Sequence, residues 1–241
     1  MQIETYLSRI LGANAQISNY LVHWSDRFGY VYVETPKVGC TTVKRMLQLA
    51  ELDGDAARLP ELVHDRTASP LKAPADDPEA FRRHYEAAGT FRFCFVRNPF
   101  SRALSCYLDK FVGNAWERNR LAPELGLDRD RVPGFRAFLE AVAAQPPERR
   151  DIHWATQRSL LRPDRFRYSF IGRFESFATQ LGQVAAAIGV SAHADLSRRA
   201  NETGASGRMA EFLGPEEADL VRQIYAEDFT TFSYGWSSAV L

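Results

Sequence analysis

Two stretches of the chain place an unbroken apolar run directly before a helical pattern of apolar residues. Residues 28–33 are almost all aromatic or β-branched, which predicts a strand that is buried on both faces. Apolar residues then recur at helical spacing: Val43, Met46, Leu47 and Ala50. Residues 91–96 form a second apolar run, after which Asn98 is a suitable N-cap and Pro99 suits the first helical position. Both stretches therefore predict a strand that leads through a short turn into a helix.

The rest of the chain adds further helices and one more strand to this pattern. The predicted helices cover residues 6–11, 78–88, 133–145, 177–188 and 215–229. Residues 168–171 predict a third strand, while residues 59–78 and 112–133 predict surface loops or short helices. No repeat or linker divides the sequence, so we predict a single domain over residues 1–241. Its class is α/β, with a central, mainly parallel sheet flanked by helices.

The composition limits the classes of protein to which the chain can belong. With 241 residues, 45% hydrophobic and 25% charged, it has the make-up of an ordinary globular domain. The formal net charge is zero, so no global field favours nucleic acid as a partner. No apolar run is long enough for a transmembrane segment, and the N-terminus lacks the pattern of a signal peptide. Three cysteines without disulfide or zinc-site spacing complete the expectation of a reduced, cytoplasmic protein.

The segment between the first strand and its helix carries the first candidate chemistry. It contains one lysine, one glycine and two threonines: Pro36, Lys37, Val38, Gly39, Cys40, Thr41 and Thr42. Unpaired N–H groups and the helix dipole point outward at a helix N-terminus, so this loop predicts an anion site. The loop is not a Walker A sequence, because Lys37 precedes the glycine. Residues 37–42 are therefore the candidate anion-binding residues.

These residues match two signatures of one enzyme family. The segment PKVGCTTVK, which begins at Pro36, resembles the 5′-phosphosulfate loop of the membrane-type (Golgi) carbohydrate sulfotransferases and their bacterial relatives. The segment RNPFSRALSCYLDKF, which begins at Arg97, resembles the 3′-phosphate signature of the same family. By this resemblance, Arg97 and Ser105 hold the 3′-phosphate of 3′-phosphoadenosine 5′-phosphosulfate (PAPS), the sulfuryl donor. A guanidinium matches phosphate oxygens as a fixed, charged fork, and a hydroxyl adds one more hydrogen-bond donor.

The resemblance extends over residues 28–235, to a closing Y-x-x-D-F pattern within IYAEDFTTFSYGW. It implies a P-loop-like, three-layer fold and the transfer of a sulfuryl group to a hydroxyl of a carbohydrate or glycan-like acceptor. Negative charge develops on the bridging oxygen of the leaving group, and Lys37 is placed to stabilise it. The sequence shows no Asp-x-Asp motif and no His/Cys cluster with metal-ligand spacing, so no metal is expected.

The acceptor side of the site is less determined by the sequence. The segment DIHWATQRSLLRP resembles the family's H-W-x-x-Q segment near the acceptor, which makes His153, Trp154 and Gln157 candidates there. The acceptor hydroxyl must lose a proton, and histidine is the usual general base at neutral pH. We favour His64, in the loop where related heparan-type sulfotransferases place a basic histidine. His153 is the alternative base, and Asp65 is the next candidate.

Other functions stay open at this point. A P-loop-like small-molecule kinase would also bind phosphate at such a loop, although the Walker A motif and magnesium ligands are missing. A catalytically inactive module that binds a nucleotide or a glycan would keep the same loops. The Gly/Ser-rich residues 190–208 could close over a ligand or only connect two helices. The identity of the acceptor and the oligomeric state are not set by the sequence.

Overall fold

The computed structural model describes residues 2–12, 14–191 and 204–237. Its strands are β1 (Val22–Ser25), β2 (Tyr30–Val33), β3 (Phe91–Val96) and β4 (Phe170–Arg173). Its helices are α1 (Ile3–Leu11), α2 (Ala15–Leu21), α3 (Cys40–Glu51), α4 (Pro78–Glu86), α5 (Pro99–Tyr107), α6 (Ala115–Leu121), α7 (Phe135–Ala144), α8 (Gln157–Leu161), α9 (Phe177–Ala187), α10 (Met209–Phe212), α11 (Pro215–Ile224) and α12 (Ala226–Thr231). The chain divides into two compact units. The first unit is formed by Met1–Val96 and Ser159–Ala200, the second unit by Arg97–Arg158 and Asn201–Leu241.

The first unit is built on a four-stranded sheet in the order β1-β2-β3-β4. β1 runs antiparallel to β2, whereas β2 is parallel to β3 and β3 is parallel to β4. The aromatic and β-branched runs of β2 and β3 form strands that are largely buried, as the sequence predicts. Because β2 and β3 are parallel neighbours, their carboxyl ends lie at the same edge of the sheet. The two segments that follow them carry the two signatures found in the sequence.

Helices cover both faces of this sheet. On one face Tyr32 and Phe93 stack with ring centroids 5.0 Å apart, in one cluster with apolar residues of α3 and α9. On the other face Trp24 packs against Phe81 of α4, with centroids 5.9 Å apart. Phe81 in turn packs edge-on against Tyr6 of α1. Helices, sheet and helices form three layers, which confirms the predicted α/β class with a central, mainly parallel sheet.

The second unit begins at Arg97, directly after β3, and is helical in its described residues. α5 continues from Tyr107 into a π-helical turn, Leu108–Val112. The core of this unit is aromatic, with the rings of Phe111 and Phe138 4.9 Å apart and both packed against Trp154. The apolar stripe that predicts a helix over residues 133–145 therefore serves to bury α7 against these rings.

The structure differs from the sequence-based elements at a few places. β1 was missed, because four buried residues show neither alternation nor enough length to indicate a strand. The third predicted strand begins later than expected, at Phe170, and the helix predicted over residues 215–229 is interrupted at Tyr225. The polar stretch 112–133, by contrast, contains the short helix α6, one of the two predicted alternatives, and Asn114 caps it through its side chain.

Several expectations are not changed by the described residues. Residues 192–203 lie outside them, so closure of the 190–208 segment over a ligand stays a prediction. A single domain over residues 1–241 stays a prediction as well. None of the helices in the part of the chain that the structure describes is both long and apolar enough to cross a bilayer.

Candidate functional site

The loop between β2 and α3 is a tight turn with two residues in the left-handed region of backbone space. Lys37 has a φ of 69° and Gly39 a φ of 75°. Such a conformation is uncommon for a lysine and costs about 1–3 kcal/mol, which the surrounding fold must supply. At Gly39 a Cβ atom would also lie 2.7 Å from the ring of Phe177, so no larger residue fits without a shift. The backbone of this turn is therefore closely specified.

The same turn leads into the first residues of α3. Cys40, Thr41 and Thr42 form the first turn of this 12-residue helix, and its N-cap, Gly39, has no side chain to bond the first amides. Those amides and the helix dipole therefore favour an anion at this end. The candidate anion-binding residues 37–42 thus lie around one helix N-terminus. Together with Pro36 they are called the 36–42 loop below. Their role in binding stays a prediction.

A buried carboxylate lies next to this loop. Glu34 directly follows β2 and is 2% exposed. Its Oε2 accepts from the Lys44 ammonium at 2.8 Å and from His23 Nε2 at 3.1 Å, and its Oε1 lies 3.4 Å from His64 Nδ1. Burial favours the neutral acid, but Lys44 and the two imidazoles outweigh it and hold the pKa of this carboxyl well below its usual range. Glu34 and Lys44 therefore form a buried ion pair.

His64 lies at the accessible side of this cluster, with a side chain that is 41% exposed. Its Nε2 lies 3.1 Å from Thr41 Oγ1, and its Nδ1 lies 2.5 Å from the Lys44 ammonium. Burial lowers the pKa of the imidazole, but hydrogen bonds to Cys40 and Glu34 outweigh burial and raise the pKa of His64 from 6.5 to about 9. The Lys44 ammonium faces the same nitrogen, so it and a proton on Nδ1 would compete for one position. The proton affinity of His64 is thus set by charged neighbours.

On the far side of Glu34, His23 is fully buried and stacks on Tyr32 with centroids 5.8 Å apart. Burial lowers the pKa of His23 to about 4, so this imidazole is neutral at pH 7. Arg66 contacts its Nδ1. A neutral ring that accepts from Arg66 on Nδ1 carries its proton on Nε2, where it donates to Glu34. His23 therefore supports Glu34 and is not an accessible base.

In the second unit, Arg97 is buried at the start of the 3′-phosphate signature. Its Nε donates to Ser101 Oγ at 3.0 Å, and its Nη2 lies 3.4 Å from Ser206 Oγ. Ser105 follows about two helical turns later, on α5, and is buried as well. Both of the residues that the resemblance assigns to the 3′-phosphate therefore belong to the second unit, and their role stays a prediction.

The three acceptor-side candidates differ in burial. His153 is 18% exposed, and its Nδ1 lies 2.5 Å from Asp151 Oδ1. Trp154 is fully buried, and its indole N–H donates to Gln145 Oε1 at 2.8 Å. Gln157 is fully buried too. Their place on the acceptor side stays a prediction, and in this conformation His153 alone of these three could touch a ligand.

The other charged and imidazole residues of the Glu34 cluster were not found as a site by the sequence analysis: Glu34 and Lys44, which contact His64, and His23 and Arg66, which are linked to it through Glu34. A signal exists for two of them. Lys44 lies on the buried side of α3, and Glu34 directly follows an apolar strand, so each places a charge where the pattern favours an apolar residue. For His23 and Arg66 no local pattern indicates a partner.

The cluster also contains a donor set that could hold a metal ion. Glu34, Cys40 and His64 each offer one ligand atom, and these atoms lie within 4.8 Å of one another. Sulfur, nitrogen and oxygen donors together suit Zn²⁺. Lys44, however, already places a cation 2.8 Å from Glu34 and 2.5 Å from His64, and a second cation there would be repelled. These residues therefore fit the lysine ammonium better than a metal ion.

A basic strand–loop–helix turn at the carboxyl edge of a mainly parallel sheet is typical of enzymes that bind phosphorylated nucleotides. A family model described as "Sulfotransferase family" matches residues 21–235 of the chain. The chain belongs to this family, which confirms the resemblance found in the two signatures.

Several curated relatives are carbohydrate sulfotransferases. Carbohydrate sulfotransferase 14 of Danio rerio is 30% identical over 198 residues, which cover 76% of this chain and 52% of the relative. The human protein of that name is 32% identical over 173 residues, covering 66% of this chain and 44% of the relative. Carbohydrate sulfotransferase 11 of Rattus norvegicus is 23% identical over 236 residues, which cover 85% of this chain and 64% of the relative. The chain thus spans about half the length of the first two relatives, and no solved structure matches it.

Proposed function

We propose that this chain is a sulfotransferase that moves a sulfuryl group from PAPS to a hydroxyl of a carbohydrate acceptor. One observation carries the proposal: β2 and β3 are parallel neighbours, and each is followed within three residues by the start of one of the two phosphate signatures. In open α/β sheets, ligands bind outside the carboxyl ends of such strands. Membership of the sulfotransferase family and the names of the relatives support the reaction and the acceptor class.

In this proposal each residue has a separate task. Lys37 stabilises the negative charge that develops on the bridging oxygen when the sulfur–oxygen bond breaks, and the first amides of α3 bind the 5′-phosphate. Arg97 and Ser105 bind the 3′-phosphate, which is remote from the reacting sulfur. His64 accepts the proton of the acceptor hydroxyl as the hydroxyl oxygen bonds to sulfur. Lys37 and the helix amides supply the stabilising charge, so the scheme requires no metal ion.

His64 is the preferred base because of where it lies. Its Nε2 contacts Thr41, so the imidazole stands at the 36–42 loop where the sulfuryl group would be held. A general base must be within hydrogen-bond reach of the proton that it removes. Glu34, at 3.4 Å from Nδ1, is suited to stabilise the imidazolium that forms, whereas the Lys44 ammonium at 2.5 Å from the same nitrogen opposes it. His153 remains the alternative base, with Asp151 as its partner.

The proposal is tested by ligand-induced thermal shift followed by a transfer assay. We expect 3′-phosphoadenosine 5′-phosphate to raise the melting temperature more than ATP with magnesium does. Labelled PAPS should then pass its sulfuryl group to at least one member of a panel of sugars and glycans. Stabilisation by ATP alone would favour the small-molecule kinase, and binding of the nucleotide without any transfer would favour an inactive module.

We also propose a reducing, cytoplasmic location. The support is that Cys40, Cys94 and Cys106 are all buried as free thiols. Cell fractionation with an antibody against the chain checks this, and recovery in a membrane or secreted fraction would contradict it.

A further inference from the structure

The side-chain amide of Gln157 pairs with the backbone of Arg97 in both directions. The Arg97 N–H donates to Gln157 Oε1 at 2.8 Å, and Gln157 Nε2 donates to the Arg97 carbonyl at 2.8 Å. Both residues are buried. The Gln157 amide thus offers Arg97, the residue after β3, one donor and one acceptor, as the backbone of a neighbouring strand would. This pair of hydrogen bonds fixes the backbone of Arg97 and with it the direction in which its side chain extends.

Gln157 is itself held by a second buried residue. The carboxylate of Asp228, in α12, accepts from the N–H of Gln157 at 2.9 Å and from the N–H of Arg158 at 2.8 Å. These N–H groups open α8, where the helix itself offers them no acceptor. Burial raises the pKa of Asp228, and Arg102 together with the two N–H groups acts against that rise. Asp228 therefore fixes the point from which the Gln157 side chain reaches Arg97.

The other arginine of the same signature holds the turn before Gln157. Arg102 is buried and donates to the carbonyl of Ala155 at 2.7 Å and to that of Ile152 at 3.3 Å. Its guanidinium is thus directed at backbone carbonyls. The two arginines of one signature have different tasks, because Arg102 holds the chain while Arg97 is the candidate ligand.

We propose that Gln157 and Asp228 are positioning residues for Arg97, which direct its guanidinium toward the 3′-phosphate of the nucleotide. This inference rests on the proposed function, since it takes Arg97 as the 3′-phosphate ligand. It gives Gln157 a task on the donor side, whereas the resemblance alone places it near the acceptor. It also connects three segments that are far apart in sequence, because the side chain of Gln157 in HWATQ bonds the backbone of Arg97 in RNPFSR, and the backbone N–H of Gln157 bonds Asp228 in YAEDF.

The physical reason is the cost of unpaired polar groups. Without the Gln157 amide, the N–H and carbonyl of Arg97 would lose these partners in a buried position, and the chain would shift to regain them. A guanidinium–phosphate fork depends on direction, because hydrogen bonds weaken steeply when they bend. The loss should therefore fall on the 3′-phosphate and spare the contacts to the rest of the nucleotide.

Calorimetry with two nucleotides tests this inference. The probes are 3′-phosphoadenosine 5′-phosphate and adenosine 5′-phosphate, which lacks the 3′-phosphate, and the readout is the ratio of their affinities. Gln157→Met keeps the size of the side chain but removes the amide, and we expect it to lower the ratio by about tenfold or more. Asp228→Asn acts one contact further away and should lower the ratio less. Gln145→Met is the matched control, because it removes a partly buried glutamine contact to Trp154 in the same unit and should leave the ratio unchanged.

The outcomes separate this inference from the proposed function. A general loss of protein stability would lower the affinity for both nucleotides alike. Only a change in the ratio of the two affinities therefore supports a positioning role. An unchanged ratio in folded Gln157→Met protein overturns the inference. If Gln157→Met does not fold, an unchanged ratio in Asp228→Asn overturns it. If the wild-type protein itself shows no preference for the 3′-phosphorylated nucleotide, the assignment of Arg97 fails, and with it the part of the proposed function on which the inference rests.

Discussion

The two units hold their candidate residues in different ways. In the first unit, His64 contacts two charged groups, those of Glu34 and Lys44, and forms a hydrogen bond with the thiol group of Cys40. In the second unit, the contacts that fix Arg97 include an uncharged amide on its backbone, that of Gln157, and a hydroxyl on its guanidinium, that of Ser101. A base needs a proton affinity that its surroundings can adjust, whereas a phosphate ligand needs a fixed direction. The contrast agrees with the roles proposed above, which are proton transfer for His64 and nucleotide binding for Arg97.

Removal of the imidazole is the strongest test of the first unit. His64→Ala should lower the acceptor-dependent rate by about 10²–10⁴-fold, because a positioned general base contributes that much, while nucleotide affinity stays near normal. Steady-state kinetics and calorimetry measure the two effects. His153→Ala is the control and should raise the KM for the acceptor. If His153→Ala causes the larger loss of rate, the two histidines have exchanged roles.

Neutralising the buried carboxylate should destabilise the first unit. Glu34→Gln leaves the Lys44 ammonium buried without its counter-charge, which typically costs about 3–5 kcal/mol. The double variant Glu34→Gln/Lys44→Met removes both charges and should recover much of that loss. Urea unfolding measures the free energies. Equal destabilisation of the single and double variants would show that the ion pair is not the cause.

The 36–42 loop offers a test in which rate and stability change separately. Lys37→Ala and Lys37→Gly both remove the ammonium, so each should lower turnover by about 10²–10³-fold, or about 2.7–4 kcal/mol in the barrier. Glycine accepts the φ of 69° more readily, so Lys37→Gly should be more stable than Lys37→Ala by about 1–2 kcal/mol. Near-normal turnover in either folded variant would remove Lys37 from the reaction.

In the second unit, effects on binding should exceed effects on chemistry. Arg97→Ala should weaken the binding of 3′-phosphoadenosine 5′-phosphate by about 1.5–3 kcal/mol, because a charge-assisted contact is lost. Ser105→Ala removes one neutral donor and should cost about 0.5–1.5 kcal/mol. Calorimetry against adenosine 5′-phosphate is the reference. Equal losses for both nucleotides would mean that Arg97 does not bind the 3′-phosphate.

The smallest expected effect is a shift along the pH axis. The pKa of His64 is raised to about 9, so kcat/KM should rise with pH until the ring loses its proton near that value. Because the folded pKa lies above the unfolded one, protonated His64 adds stability that is fully present below 6.5 and lost as the pH rises through about 9. Cys40→Ala removes one cause of the raised pKa, the side-chain hydrogen bond to Cys40, so the acidic limb should move to lower pH. A wild-type limb near 6.5 would show that these contacts do not act on the ring.

The sequence by itself determined the local elements and the two signatures. Strand–turn–helix patterns over residues 28–52 and 91–111 predict β2, α3, β3 and α5, because apolar periodicity and caps act within a few residues of one another. The lysine before glycine and the arginine before Asn-Pro are local as well. Family membership followed from these segments, and the α/β class followed from their order.

Only the tertiary structure decided what surrounds the candidate residues. Glu34 gains its partners from the pairing of β1 with β2 and from the loop that carries His64, and no periodic pattern encodes either contact. Gln157 meets Arg97 across 60 positions and Asp228 across 71. A local pattern predicts which face of an element is buried, but it does not predict which polar group from a distant segment will contact that face. Hydrogen bonds and charges act over a few ångströms, so their partners are set by the path of the whole chain.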